Sequence, residues 1–502
     1  MISDQDYKQI QASGRSTELI QRQYEILIAK QKLISGIRPA VIGDGILRLD
    51  ETQEKQALEN FNNQADSKRW MKFVPASGAA SRMVAPLNAF LETVKQKDKK
   101  NRSDFWETSD GVMINELKQT LKNLPFFGSI HAILNEDRQA KLDEPEAYFI
   151  NFIRKIVSQF ETYPKGLIPF FTDEKGQEWT PFEAQLIEVI ELGKQKSTIP
   201  LHLTIDKNHR KLFDKTLESF KEKIGGMGQT SFSVDYSHQH RLTDTPFIDE
   251  KKLWVRDEKG GIAFRKGGHG ALLENLNHLD ADCIWIKNID NILLGKANAI
   301  GEKWMKILAG KLLAIQEVIY EHLDTLEQQK ANTPFHPIIT FIQTHFDPSF
   351  NLKAESKMSH EVLFDYLHRP LRVCGMIPNE GDTGGGPFWK KVVRGQSLQI
   401  IEGVELDSNI EEHSKAIVAS THFNPVMMVC GITDHRGEKF SLYDFRDEKR
   451  FMVSKKINKN ETITILEWPG LWNGGMAEWN SIFIELPAET FHPVKSVIDL
   501  VR

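Results

Sequence analysis

Long apolar runs are missing from this sequence. Nowhere in its 502 residues does an uncharged apolar stretch approach the roughly 18 to 20 residues that a helix needs to cross a bilayer. The start, MISDQDYKQI, has no basic segment followed by an apolar one. These absences argue against a helical membrane protein and set a cytoplasmic location, with no membrane partner, as the expectation. Cysteine is scarce as well: Cys283, Cys374 and Cys430 lie far apart, each inside an apolar run (DCIWI, RVCGM, MMVCG). That setting suits buried small hydrophobes, not a disulfide framework, a metal cluster or a nucleophile. An excess of one charge is also lacking, since 64 Lys and Arg against 69 Asp and Glu leave a formal net charge of −5. No bulk charge therefore calls for a nucleic-acid partner. The lysine-rich stretch KQKDKKNR has no interleaved aromatics and reads as a solvated loop.

What the chain does have is the composition of a globular protein, 40% apolar and 26% charged. Residues 1–65 read as a polar N-terminal helical extension, with Ile20, Tyr24, Ile26, Leu27 and Leu33 marking a modest apolar face. At MKFVPASGAASRM the period changes: an apolar run gives way to small residues and then to helix-compatible sequence from Ser81, the strand, loop and helix order of a phosphate-handling unit. A charged, mostly helical insertion follows over about 84–160. The alternation of GLIPFF, PFEAQLIEVIELGK, IPLHLTI, HRKLFDKTLESFKEKI, TSFSVDY, GALLENLNHL and CIWIKNI then predicts strands alternating with helices. Trp304, Ile307, Leu308, Leu312, Ile315, Ile319 and Leu323 form the stripe of a long amphipathic helix. Short β-like runs dominate afterwards (PIITFIQ, RVCGMI, SLQIIEGV, PVMMVCGI, FSLYDF, TITILEW, SIFIEL). The expected fold class is α/β, a mostly parallel mixed sheet with helices on both faces. An α/β core over 66–335 is followed by a mixed, β-rich part over 336–502 that completes the sheet and the substrate site.

One loop carries chemistry by its residue types. In Pro75-Ala76-Ser77-Gly78-Ala79-Ala80-Ser81-Arg82 the small side chains let a ligand approach the backbone, the amides at the head of the next helix suit an anion, and Arg82 adds a fixed cationic fork. A tight strand-to-helix turn with Arg82 as a surface cation would look the same. Farther on stand Pro164-Lys165-Gly166-Leu167-Ile168-Pro169, Thr180-Pro181-Phe182-Glu183, Gly268-His269-Gly270 and Asn288-Ile289-Asp290-Asn291.

Taken together these segments resemble a family. ASGAASRM is similar to the glycine-rich loop, roughly G-x-G-[ST]-R-[ML], of the sugar-phosphate nucleotidyltransferases, and PKGLIP to their P-K-x-L-x-P segment, displaced here by about 80 residues. KGGHGALLENLNHLDADCIWIKNIDNIL resembles the G-H-G-D … N-x-D-N stretch of UDP-sugar pyrophosphorylases, with Ala271 in place of aspartate. The whole chain, through VPASGAASRM, PKGLIPF, GMIPNEGDTGGGPFW and PGLWNGGMAEWN, also resembles a bacterial family frequent in Bacteroidetes, catalogued as a domain of unknown function and grouped with the nucleotide-diphospho-sugar transferases of GT-A-like fold.

The resemblance implies a nucleotidyltransferase that joins an NTP, UTP by preference, to a sugar 1-phosphate and releases pyrophosphate. It implies Arg82 and Lys165 as the cations that act on the phosphates. Ala76, Ser77, Gly78, Ala79, Gln239, Gly268 and His269 would hold the nucleotide. Asp290, at the end of a strand, would hold Mg²⁺, because a hard cation prefers carboxylate oxygen. In NEGDTGGGPFW, Glu380 and Asp382 are candidates for sugar hydroxyls or a mobile lid. Asn473, with Trp472 and Trp479, belongs to a sugar-stacking wall or to aromatic packing. Two alternatives stand beside this reading. One is a glycosyltransferase of the same fold; Asp280-Ala281-Asp282 has its metal spelling but precedes the apolar run. The other is a non-catalytic nucleotide-binding protein, suggested by Ala79, Ala80 and Ala271.

Overall fold

The structure is a computed structural model that describes residues 2–29, 33–96, 99–136, 144–193, 198–225, 232–328, 335–352, 359–381, 384–393, 395–458 and 461–501. Its fold is α/β, with a large, mostly parallel sheet flanked by helices. Contacts divide the chain into two units: one of residues 1–73, 237–286 and 303–488, the other of 74–236, 287–302 and 489–502.

In the first unit the sheet order is Val41–Ile42, Gly45–Leu47, Asn480–Glu485, Leu371–Pro378, Met427–Gly431, Cys283–Lys287, Trp70–Pro75. Leu371 pairs in parallel with Asn480, and Cys283 with Trp70. Only the pairing of Leu371–Pro378 with Met427–Gly431 is antiparallel among those with a described register along this path. CIWIK and MMVCG are buried at every position, as strands covered on both faces must be, which is why they read as unbroken apolar runs. Phe73, Ile284, Met376, Met428 and Phe483 share one core. Two antiparallel sheets complete this unit: Ile37–Pro39 with Gly386–Val392 and Gly395–Ile401, and Phe264–Arg265, Thr245–Asp249, Glu461–Glu467 and Met452–Asn458.

The division differs from the one expected. Residues 1–65 are not a helical extension: between helices Thr17–Ile28 and Glu51–Gln64 the chain lays strands into sheets whose other strands come from the C-terminal third. Those strands are two or three residues long, too short for a period to show in sequence. PIITFIQ, read as strand, lies within helix Phe335–His345, where Ile338, Phe341 and Ile342 bury one face at helical spacing. FSLYDF holds a single 3₁₀ turn, Leu442–Phe445, and GLIPFF holds another, Lys165–Leu167, ahead of a two-residue strand. The long stripe is as expected: all seven of its residues are buried along helix Ala299–Glu327.

The second unit contains the helical insertion, seen as Ser81–Lys95, Lys99–Trp106, Ser109–Thr120, Phe127–Glu136 and Pro145–Phe160. Leu87, Phe90, Ile114, Phe152 and Ile156 pack in one core that also takes Val494, Val497 and Ile498. Beyond it, strand Pro200–Thr204 is flanked by strand Ser233–Ser237, with helices Pro181–Gly193 and Arg210–Ile224 burying Phe182, Leu186, Phe213 and Phe220.

Candidate functional site

The loop at 76–80 follows strand Trp70–Pro75 and is anchored at its start by the Ala76 amide, which donates to Thr204 O at 2.9 Å. Helix Ser81–Lys95 begins at once, with no side-chain cap on its first turn. The Ala80 amide donates to Tyr163 O at 3.0 Å, Ala79 bridges Pro164, and the Lys165 amide donates to Gly78 O at 3.2 Å. So the chain that leaves at the loop returns beside it, with Lys165 at the point of return.

Asp290 reaches the same place from the end of strand Cys283–Lys287. Gly166 packs against Ile289, whose Cγ1 lies 2.9 Å from where a Cβ at 166 would stand. Gln185, buried, donates from Nε2 to Asn288 O at 3.2 Å, and Asn291 Oδ1 accepts from the His492 amide at 2.9 Å. These contacts fix the turn, and Lys165 Nζ pairs with Asp290 Oδ2, 125 residues away in sequence. Their side chains keep 18% and 21% of their surface exposed, so the pair stays within reach of solvent. Beside them Gln185 Oε1 and Asn291 Nδ2 are buried without a partner among the described residues.

Three of the expected positions, 78, 165 and 290, thus meet. Ala76 is buried, Ser77 half-buried, and Gly78, Ala79 and Arg82 exposed. A Cβ at Gly78 would meet no atom within 4 Å, and its φ is not in the left-handed region. Neither packing nor backbone torsion requires glycine there, and the loop's surface is open to a ligand.

The remaining expected residues lie in the first unit. Gly268 has φ +77°, and a Cβ there would stand 2.4 Å from Glu467 Oε2; at Gly270 it would meet Pro469 O at 2.2 Å. These glycines serve a turn and close packing, not the approach of a nucleotide. His269 between them stacks on Trp472, centroids 4.3 Å apart, accepts at Nδ1 from the Leu471 amide (3.2 Å), and has Nε2 3.4 Å from Glu402 Oε1. Asn473 is fully buried and its Nδ2 donates to Glu405 Oε2 at 3.2 Å. Gln239 Nε2 is turned onto Thr243 Oγ1 at 3.3 Å within its own turn. Glu380 is exposed in its loop, and Asp382 lies outside the described residues.

Sequence reasoning missed the polar knot to which His269 and Asn473 belong. Arg450 donates to both oxygens of Glu405 (2.6 and 2.9 Å), to Gln399 Oε1 (2.7 Å) and to Ile400 O (3.0 Å), all buried. Trp472 Nε1 donates to Glu402 Oε1 at 3.1 Å. Burial pushes the Glu402 carboxyl up, but His269, Asn473 and Trp472 together more than offset this and hold it below its ordinary range. Buried Arg372 donates to Ser481 Oγ and Trp472 O, and among the described residues neither its Nη2 nor Asn473 Oδ1 has a partner. The available signal was a charge inside an apolar run, Arg372 in LRVCGM and Glu402 in QIIEGV.

Other motifs have structural roles. Arg69 pairs with both Asp280 and Asp282, and its hydrogen bonds overcome burial to hold the Asp282 carboxyl low, so Asp-x-Asp is an ion-pair cluster at the head of a strand. Glu183 forms a reciprocal cap with Thr180 and an ion pair with Lys223 at 2.6 Å. All three cysteines are buried; burial raises Cys283 to about 12 and Cys374 to about 11, far from a reactive thiolate. No described helix is long and apolar enough to cross a membrane. A cleft of about 450 Å³ in the first unit is lined by Phe350, Tyr366, Arg369 and Trp479, the last of these a residue of the expected sugar-stacking wall.

Against known proteins, a family profile described as a domain of unknown function (DUF4301) matches residues 3–502. No curated protein matches the sequence. Among solved structures the chain is similar to the UDP-glucose pyrophosphorylase from Leishmania major, at 12% identity and a TM-score of 0.46 over 99% of this chain and 77% of that one. It is similar to the same extent, 12% and 0.46 over 97% and 74%, to the UDP-N-acetylglucosamine pyrophosphorylase from Trypanosoma brucei solved with an inhibitor.

Proposed function

The chain belongs to the DUF4301 family, and from that premise we propose that it is a sugar-1-phosphate nucleotidyltransferase whose second unit cradles the triphosphate of UTP. The observation that carries the reading is the meeting of Lys165 and Asp290 beside an open loop at the head of a helix. A cation and a carboxylate beside the exposed Gly78 and Ala79 at the head of a helix suit a polyphosphate.

In this reaction an oxygen of the sugar phosphate attacks the α-phosphorus and pyrophosphate leaves in line. The nucleophile is already an anion, so the protein needs no general base; it must align two mutually repelling phosphates and neutralise charge as it builds. The amides of Ser81 and its neighbours lie at the positive end of helix Ser81–Lys95, where a phosphate is favoured. Arg82, exposed on that first turn, offers a bidentate fork. Lys165 is held by Asp290 until a phosphate competes for it. Asp290 is then freed as a lone carboxylate, which fits the one or two carboxylates Mg²⁺ takes when substrate phosphates supply its other ligands. The ion, when bound, would supply charge neutralisation at the phosphates. Gly78, Arg82, Lys165 and Asp290 all belong to the second unit, and Gln239, Gly268, His269, Glu380 and Asn473 to the first.

The test is pyrophosphate release from UTP and a panel of sugar 1-phosphates with Mg²⁺. Release that drops about 100-fold in Lys165→Met is the expected result. Binding heat with no product would leave a nucleotide-binding protein without turnover, and full activity in Lys165→Met would remove the proposed site.

A further inference from the structure

The first unit holds a second set of groups with metal-ligand chemistry. His368 follows helix Ser359–Leu367, Asp434 and His435 sit in the turn after strand Met427–Gly431, and Glu327 ends helix Ala299–Glu327. One ligand atom from each of His368, Asp434 and His435 lies within 4.8 Å of the others, and the same holds for Asp324, Glu327 and His435. His368 Nε2 is 3.3 Å from Asp434 Oδ2.

The carboxylate is aimed. Asp434 Oδ1 accepts from the amides of Arg436 (2.9 Å) and Glu438 (2.8 Å), which leaves Oδ2 facing His368. His435 is the anomaly: its side chain is 2% exposed, yet neither ring nitrogen has a hydrogen-bond partner among the described residues. Glu327 Oε1 lies 3.2 Å from Nε2, near enough for an ion pair but without hydrogen-bond geometry. That oxygen is also taken by the Arg436 guanidinium. A buried polar group without a hydrogen bond is costly, so an imidazole held this way calls for a partner.

We propose that His368, Asp434 and His435 bind a divalent transition-metal ion of the Zn²⁺ class. Two imidazoles and a carboxylate are the donor set of a borderline ion, not of Mg²⁺ or Ca²⁺, which take oxygen. Phe364 stacks on His368 at 5.0 Å, and Phe440 meets its edge at 5.1 Å, so the ring's orientation is set by packing. The ion would tie a helix end to a turn and act as a clasp, since its ligands lie apart from Lys165 and Asp290 in sequence and belong to the other unit.

The full-length chain, stripped with chelator, is titrated with ZnCl₂ alone by calorimetry, with CoCl₂ absorption as a spectroscopic readout and thermal melting of the same samples. One equivalent bound in the micromolar range or tighter, with a rise in Tm, is expected. His368→Ala and His435→Leu should each weaken binding at least tenfold and abolish the cobalt bands, whereas His278→Ala, at an exposed histidine, and Asp290→Asn should not. If His435→Leu fails to fold, His368→Ala, at a side chain 32% exposed, decides the matter. No binding, or binding unchanged in His368→Ala, overturns the site.

Discussion

Two polar regions of this protein use the same residue types to opposite ends. Around Lys165 and Asp290 the groups are few, partly exposed and joined by a single ion pair, and the neighbouring loop faces open space. Around Arg450 and Glu405 the groups are many, buried and bonded to one another from three separate stretches of chain. A charged group with spare valence at a surface awaits a ligand, whereas one whose partners already surround it holds structure. Charge in an unexpected place is therefore not itself the sign of a site; the sign is charge left with something to bind.

The most forceful way to break the contrast is Arg450→Met. It strands buried Glu405 and should lower the free energy of unfolding by about 3–5 kcal/mol in a urea titration. Lys165→Met, by comparison, should lower the free energy of unfolding by less than about 1 kcal/mol in the same titration, as pairs within reach of solvent do. Equal costs would erase the distinction.

Acid gives the next largest effect and acts in both units. Burial lowers His202 in the second unit and His345 in the first to about 4 each, so each stays neutral in the folded chain. Below about pH 6.5 the unfolded chain takes up protons that these rings refuse until about pH 4, and stability falls across that window, by up to roughly 3 kcal/mol for each ring. Urea midpoints measured between pH 7 and 4 should fall in the parent and fall less steeply in His202→Gln.

The smallest and sharpest test is Gly78→Ala. With open space around the Cβ and an ordinary backbone torsion, it should leave Tm within a degree or two while weakening UTP binding about tenfold, or about 1.4 kcal/mol. The same change at Gly268, against Glu467, should instead destabilise the fold.

The contrast also explains what was legible in sequence. The alternating runs predicted the strands IPLHLT, CIWIK and MMVCG because burial on both faces leaves an unbroken apolar signal. The meeting of 78, 165 and 290 was legible because each stands at the end of a strand or loop in a recognisable segment. PIITFIQ failed because a short β-branched run carries the same composition in a helix as in a strand, and only length and burial decide. The polar knot failed for another reason: Arg450, Gln399, Glu405 and Asn473 are spread along the chain and acquire meaning only when the sheets bring them together. Gly268 and His269 looked like ligand-binding residues because a turn packed from below and a turn open to a ligand both select glycine.

Ala79 and Pro164 face each other as bridge partners, so the long helical excursion between them starts and finishes at one spot. It behaves like a loop of thread drawn through a single eyelet: its length can grow or shrink without shifting Lys165 relative to Gly78. A helical bundle of another size at this point would therefore leave the placement of Lys165 beside Gly78 unchanged.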